Sequence, residues 1–426
     1  MSNEATTAIR RSGGLMLTLV VWLAAQAGSR PSTALPVCDP DNGGLTLPAG
    51  FCALVVADQV GAPRHLVVAP NGDLFVARAN GPLLALRDTT GDGKGGVREA
   101  IGESGTGVAL GPDALYLSTQ STVYRFTLRP GQLRPIGPPQ VIVNDLPTGG
   151  HSARNLALAD DGKTLFVNVG SRSNSCQVAD RALESPGRDP CPELATRAAI
   201  WRFGATRPGQ TMTDGTRYAS GIRNAVGLAV APDGRLWATQ HGRDQLGQSW
   251  PKLYTLAESA EKPSEELVQV NAGDDFGWPY CYHDLELGRL VLAPEYGGDG
   301  KTAGRCAQKK EPALAFPGHW APDGLTFYRG SQFPAHYRGG AFIAFHGSWN
   351  RAPLPQAGYR VVFVPFQDGA PTGTYETFVD GFWREDPAGP KHRPVGVAQG
   401  PDGSLYITDD AGGRIWRVVY RGEAGR

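Results

Sequence analysis

Five short stretches of this 426-residue chain gather side chains able to do acid–base or ionic chemistry. They are Gly149-Gly150-His151-Ser-Ala-Arg154-Asn155, the pair Arg223-Asn224, Gln240-His241-Gly242-Arg243-Asp244, His346-Gly-Ser-Trp349-Asn350-Arg351, and His392-Arg393. A neutral imidazole beside several guanidiniums has its proton affinity lowered by like charge, which suits a general base. Any one of these histidines could be a plain surface residue. The case for a site is that these groups stand at the ends of one repeated unit.

That unit is a short hairpin. In Val226-Gly-Leu-Ala-Val-Ala-Pro-Asp-Gly-Arg-Leu-Trp-Ala-Thr239, two runs of alternating apolar residues flank a Pro-Asp-Gly turn. Pro presets φ, Asp bonds its own backbone, and Gly accepts positive φ. Copies begin at Arg64, Gly107, Asn155, Val395 and, more loosely, Gly324, which makes six in all. Most are followed by a third apolar run, as in Leu83-Leu-Ala-Leu-Arg87, Ile200-Trp-Arg-Phe203 and Ile415-Trp-Arg-Val418. Six sheet-forming repeats predict an all-β, six-bladed β-propeller, which hides most strand edges. A large β-sandwich would not need a repeat. In a propeller, successive strand starts converge on one mouth of the central channel, so groups distant in sequence share a pocket. One short exposed helix is expected within Ala257 to Leu267.

With 57 Gly and 34 Pro the chain is turn-rich, as many short strands require. The 41 basic residues balance 41 acidic ones, so nothing favours nucleic acid or an anionic membrane surface. Arg10-Arg11, the apolar run Leu15 to Ala25 and the small residues through Ala27 read as a secretory signal peptide over residues 1–27. Residues 28–46 then form an N-terminal extension and 47–420 the propeller. A periplasmic or secreted protein follows, with no membrane insertion of the mature chain.

Six cysteines suit an exported protein. Neighbour pairing (Cys38 with Cys52, Cys176 with Cys191, Cys281 with Cys306) is the simplest of the fifteen possibilities. Asp88-Thr-Thr-Gly-Asp-Gly-Lys-Gly-Gly96 resembles part of a calcium loop but lacks its closing acidic residue, so an Asx-rich turn is the favoured reading. Asp274-Asp-Phe-Gly-Trp-Pro-Tyr-Cys281 is either a packing plug or a wall of the pocket.

The motifs GGHSARN around His151, Gly170-Ser171-Arg-Ser-Asn174, SGIRNAVGLA around Arg223, Phe276-Gly-Trp-Pro-Tyr-Cys281, HGSWNR from His346 and His392-Arg-Pro-Val-Gly396 together resemble the sorbosone dehydrogenase family. That family is related to soluble quinoprotein glucose dehydrogenases and aldose sugar dehydrogenases. The resemblance runs from about Leu47 to Val419. It implies a propeller holding pyrroloquinoline quinone (PQQ) and Ca2+, oxidising an aldose or an aldehyde such as sorbosone by hydride transfer. It makes His151 the base, places Arg223, Asn224 and Arg393 on the cofactor, and adds Arg351 and Trp349 to that set. It puts the backbone carbonyls of Gly242 and Arg243 on calcium. Arginine pairs bidentately with the carboxylates of such a quinone, and calcium takes carbonyl oxygens. A small-molecule sugar or aldehyde and an electron acceptor, a quinone or a cytochrome, are the expected partners.

In the glucose enzymes an Asp orients the catalytic His; here Ser171 stands at that position, and the pocket Gln has no clear match. The rival reading is a non-catalytic propeller that binds a sugar or a protein at the same mouth. A lactonase-type calcium hydrolase needs acidic channel ligands, and the sequence offers arginines there.

Overall fold

The computed structural model describes Met1 and residues 35–383 and 390–422. The expected signal peptide, apart from Met1, lies outside the described residues. Among the described residues from 35 onward the chain forms six four-stranded antiparallel sheets and two small two-stranded ones. Their innermost strands are Pro63–Val68, Gly107–Leu110, Leu156–Leu158, Leu228–Val230, Pro322–Phe327 and Pro394–Gln399. This is the expected six-bladed propeller, and each repeated hairpin forms the inner two strands of one blade.

The ring closes with a strand from the other end of the chain. Phe51–Ala57 pairs with Arg414–Tyr420 as the outermost strand of the sixth blade, Phe51 opposite Tyr420. Phe51 inserts its ring among Phe333 and Phe378, at centroid separations of 4.8 and 5.0 Å. The Cys38–Cys52 disulfide ties the preceding segment to this strand, and Cys176–Cys191 and Cys281–Cys306 staple loops. All three are the sequential pairs.

The core is a ring of layers between adjacent blades rather than one central mass. Phe75, Leu115 and Leu117 fill the gap between blades one and two, and Trp237, Phe327 and Phe345 that between four and five. The inner strands are joined by a recurring clasp. In blades two, four and six a hydroxyl on the second strand (Ser118, Thr239, Thr408) donates to a carbonyl at the start of the next blade: Arg154, Pro322 and Arg64 respectively. The same hydroxyls accept from the amides of Gly107, Gly227 and Gly396. Gly107 must lack a side chain, because a Cβ there would collide with the Arg154 carbonyl. The clasps therefore fix the strand starts, which is where the chemistry-bearing residues stand.

One local expectation changes and another holds. The helix is Leu256–Glu261, opened by a reciprocal cap between Thr255 and Glu258, and it stops before Pro263. Pro lacks the amide a helix needs and biases its predecessor toward extended backbone. Glu265–Val270 is instead a strand paired with Leu236–Gln240, the third strand of blade four. The Asp88 carboxylate accepts from the amides of Thr90, Gly91 and Gly93 at 3.0, 2.8 and 2.7 Å, so the loop is an Asx turn.

Candidate functional site

His151 precedes the inner strand of blade three and is half-buried. Its Nδ1 lies 3.0 Å from the Ser171 carbonyl oxygen and 2.9 Å from the Ser171 hydroxyl. A carbonyl only accepts, and the Ser171 hydroxyl hydrogen goes to the Ser173 carbonyl at 2.7 Å. Nδ1 therefore carries the hydrogen, and Nε2 presents a bare lone pair. Burial, then the Arg223 charge, push the imidazole down to about 3. The loop beneath it is clamped by two guanidiniums. Arg154, fully buried, donates to the carbonyls of Pro147 and His151, and Arg197 to those of Thr148 and Gly149.

Arg223 is 3% exposed and committed to protein on several sides. Nε and Nη2 reach the Asn174 carbonyl and Oδ1 at 3.1 and 3.0 Å, Nη2 also pairs with Asp244 at 2.9 Å, and Nη1 donates to the Gly242 carbonyl at 2.9 Å. One Nη1 hydrogen is left over. Burial would raise Asp244, but Arg223 and Arg181 outweigh it and hold the carboxyl well below the usual range. Asp244 also accepts from Asn350 Nδ2 at 3.0 Å, which brings the HGSWNR loop to this mouth. Asn224 accepts from Asn168 through Oδ1, while its Nδ2 has no acceptor among the described residues.

The mouth also holds charged residues that the motif reading did not single out as site residues. Arg64 bridges Asp323 and Asp410 at 2.9 and 2.6 Å. Asp323 faces His241 Nε2 at 3.0 Å, and Asp410 faces His346 Nε2 at 2.8 Å. Four blades contribute to this chain of charges. Burial opposes ionisation of Asp323, but Arg64 and His241 keep it far below the usual range; conversely, Asp323 outweighs burial at His241 and raises it. The signal was present in the repeat. Arg64-His65 stand before the first hairpin as Arg223-Asn224 stand before the fourth, and Asp409-Asp410 follow the sixth as Gln240-His241 follow the fourth. Acidic groups in the mouth thus correct the expectation that only arginines stand there. They are paired with Arg64 and imidazoles, and no group of three His, Cys, Asp or Glu able to hold a metal occurs among the described residues.

Arg393 donates to the His346 and Gly347 carbonyls at 3.0 and 2.5 Å and leaves Nη1 without a partner among the described residues. Trp349 is 62% exposed. Arg351 is buried, and its donors go to the carbonyls of Ala260, Gly318 and Pro355 and to Glu261. It acts as a staple for the loops, with one Nη2 hydrogen free. Arg243 turns its side chain to Glu295. His392 is buried against Asp409 at 2.6 Å, and Trp278 is buried beside the Cys176–Cys191 bridge, donating to Asn174 at 3.0 Å; both are packing elements.

This donor set fits a planar polycarboxylate. Arg393 Nη1, Asn224 Nδ2 and the spare Arg223 hydrogen are cationic or amide donors with no acceptor among the described residues, and His151 Nε2 is a bare base. It fits a calcium ion poorly. The Gly242 carbonyl already accepts from Arg223, whose charge would repel a cation, and the nearby carboxylates are paired.

A six-bladed propeller with an ion-paired, histidine-bearing channel mouth is the class these features define. The chain belongs to the TrAA12-like family, whose profile matches residues 45–421. It is 29% identical over 273 residues to a protein of Borreliella burgdorferi, covering 63% of this chain and 61% of that one. It is 26% identical over 241 residues to the pyrroloquinoline quinone-dependent pyranose dehydrogenase of Coprinopsis cinerea, 46% of this chain and only 30% of that protein. The chain therefore matches less than two thirds of the length of these relatives. Among solved structures, the holo PQQ domain of the Coprinopsis cinerea pyranose dehydrogenase superposes with TM-score 0.73 at 19% identity, covering 88% of this chain and 97% of that one. The calcium structure of the Trichoderma reesei family AA12 protein gives 0.73 at 21%, covering 91% and 99%. The PQQ-bound aldose sugar dehydrogenase of Streptomyces coelicolor gives 0.54 at 20%, covering 88% and 99%. At these identities the likenesses concern the fold.

Proposed function

We propose that this protein is an exported quinoprotein oxidoreductase that oxidises an aldose or a sugar-derived aldehyde such as sorbosone. Bound PQQ would accept the hydride. The observation that carries the reading is a pair of donors, Arg393 Nη1 and Asn224 Nδ2, without acceptors among the described residues, at strand starts that also present an imidazole whose Nε2 is bare. Arg393, Asn224 and the spare Arg223 hydrogen hold carboxylate and carbonyl oxygens of the cofactor. Trp349 offers an exposed indole face to the cofactor or a sugar ring. His151 takes the hydroxyl proton at Nε2 while Ser171 holds Nδ1. The resulting imidazolium faces a neutral partner, so it is less stabilised than one facing a carboxylate. Calcium enters only with anionic ligands from outside the chain, and no step here depends on it. Electrons leave to an acceptor, a quinone or a cytochrome. Export rests on the N-terminal sequence; no described helix is long and apolar enough to cross a membrane.

The test is reconstitution: apo protein, PQQ with and without Ca2+, a dye acceptor, and a panel of aldoses and aldehydes. PQQ-dependent dye reduction is expected. His151→Ala should still bind PQQ yet lose about 10²- to 10⁴-fold in turnover. Absence of a spectral change on adding PQQ would leave the rival reading, a propeller that binds a sugar or protein without catalysis.

A further inference from the structure

The mouth contains a second imidazole that, unlike His151, is oriented by a carboxylate. His346 ends the second strand of blade five, Ala341–Phe345. Its amide donates to the Ala321 carbonyl at 2.8 Å, and its own carbonyl accepts from Arg393 at 3.0 Å, so its backbone is held from both sides. Gly347, at φ 89°, turns the chain away directly after it. Its ring nitrogen Nε2 lies 2.8 Å from Asp410 Oδ1, while Nδ1 has no partner among the described residues.

The carboxylate accepts, so Nε2 carries the hydrogen and Nδ1 is bare. This is a carboxylate-oriented imidazole, the arrangement that Ser171 withholds from His151. Charge points the same way. The groups facing His346 are Asp410, then Arg64 across it, then Asp323 with His241 beyond, and Arg393 at the main chain. Two carboxylates share one bridging guanidinium, so the trio carries a single negative charge in a half-buried setting.

We infer that His346, oriented by Asp410, is a proton-accepting catalytic residue of this mouth, and that Arg64 and Asp323 are positioning residues for the pair. The inference rests on the dehydrogenase reading. In the step, the substrate C–H bond breaks and its electron pair leaves as hydride to an ortho-quinone acceptor. The C=O bond forms from the hydroxyl, and the hydroxyl proton passes to His346 Nδ1 in place of His151 Nε2. The imidazolium stays paired with Asp410 until the proton leaves to water.

Two measurements test this. The first uses the apo chain with ¹⁵N-labelled histidine, His346→Gln identifying the signal. A protonated Nε2 and a bare Nδ1 are expected; the opposite tautomer would overturn the dyad. The second uses the PQQ-loaded chain. His346→Ala should lose about 10²-fold or more in kcat, with KM little changed, and imidazole in the buffer should restore part of the rate. Asp410→Asn should lose less, and the double variant should be no slower than His346→Ala alone. Turnover of His346→Ala within a few-fold of wild type would overturn the role. So would a loss that imidazole cannot restore in a variant whose fold, by circular dichroism and melting, is intact. Should His346→Ala not fold, His346→Gln takes its place in the rate comparison. Failure of the wild type to reduce dye with any sugar or aldehyde would sink the dehydrogenase reading itself, and the catalytic role with it. The tautomer measurement would then report on the dyad alone.

Discussion

The two ends of the central channel are made by the same six hairpins, yet they differ in chemistry. At one end, where the inner strands start, Arg64, Arg223, Asp244, Asp323, Asp410, His241 and His346 are drawn together in ion pairs, and His151 is held by Ser171. At the other end, where those strands turn, lies a cavity of about 640 Å³ walled by residues such as Leu66, Leu158, Val230 and Thr326 and rimmed by Pro70, Pro112 and Arg329. Turn residues need only reverse the chain. Strand starts are held in place by the clasps from neighbouring blades, and that is where positioned polar groups can be kept. The mouth accordingly tolerates arrangements that cost stability. Arg154 is buried without a carboxylate partner, and burial brings it down to about 10. Glu266 is pushed up to about 8 by burial. Function and stability should therefore respond differently at the two ends.

The largest expected effect is at the mouth. Arg223→Met leaves Asp244 buried with Arg181 as its main counter-charge, and the loss of a buried partner costs about 3–5 kcal/mol. Urea unfolding should show it, together with loss of PQQ binding; a variant of unchanged stability would break the contrast. Next comes ring closure, which serves both ends. Phe51→Ala removes an aromatic anchor and should cost about 3–5 kcal/mol, with the apo protein's melting point falling and PQQ affinity at low temperature kept. Glu266→Gln should sharpen the contrast in the opposite direction. Its folded value lies above its unfolded one, so its favourable contribution is full below the unfolded value near 4.5 and is lost as pH rises toward about 8. The glutamine variant should match wild type at pH 4 and become progressively more heat-stable than it between pH 5 and 8. A clasp variant, Thr408→Val, leaves the Arg64 carbonyl and the Gly396 amide short of a partner and should cost about 1–3 kcal/mol. At the far end, Arg329→Ala should cost no more than about 1 kcal/mol and leave turnover unchanged; a clear loss of turnover would mean that both ends take part.

The hairpins and their number were legible from turn residues and period-two alternation, and the disulfides from pairing neighbouring cysteines, because all of these are local. The third strand of blade four was not. Its run Glu265-Glu-Leu-Val-Gln-Val270 looks polar enough for an exposed helix until its pairing with Leu236–Gln240 is known. Among the proposed site residues, His151, Arg223, Asn224 and Arg393 stand before the inner strands of blades three, four and six. Arg351 lies in a loop that reaches the mouth, but its side chain turns inward to main-chain carbonyls, an orientation that no local pattern specifies.

By itself the amino-acid sequence determined the repeat, the turns and the strand starts as the place for polar groups, since each depends on neighbours within a few tens of residues. Only the tertiary structure decided which charges meet. Arg64 is 259 positions from Asp323 and 346 from Asp410, and it reaches both because a closed ring puts the first blade beside the last. Ion pairing depends on distances of a few ångströms between groups that the chain itself leaves far apart, and ring closure is what sets those distances.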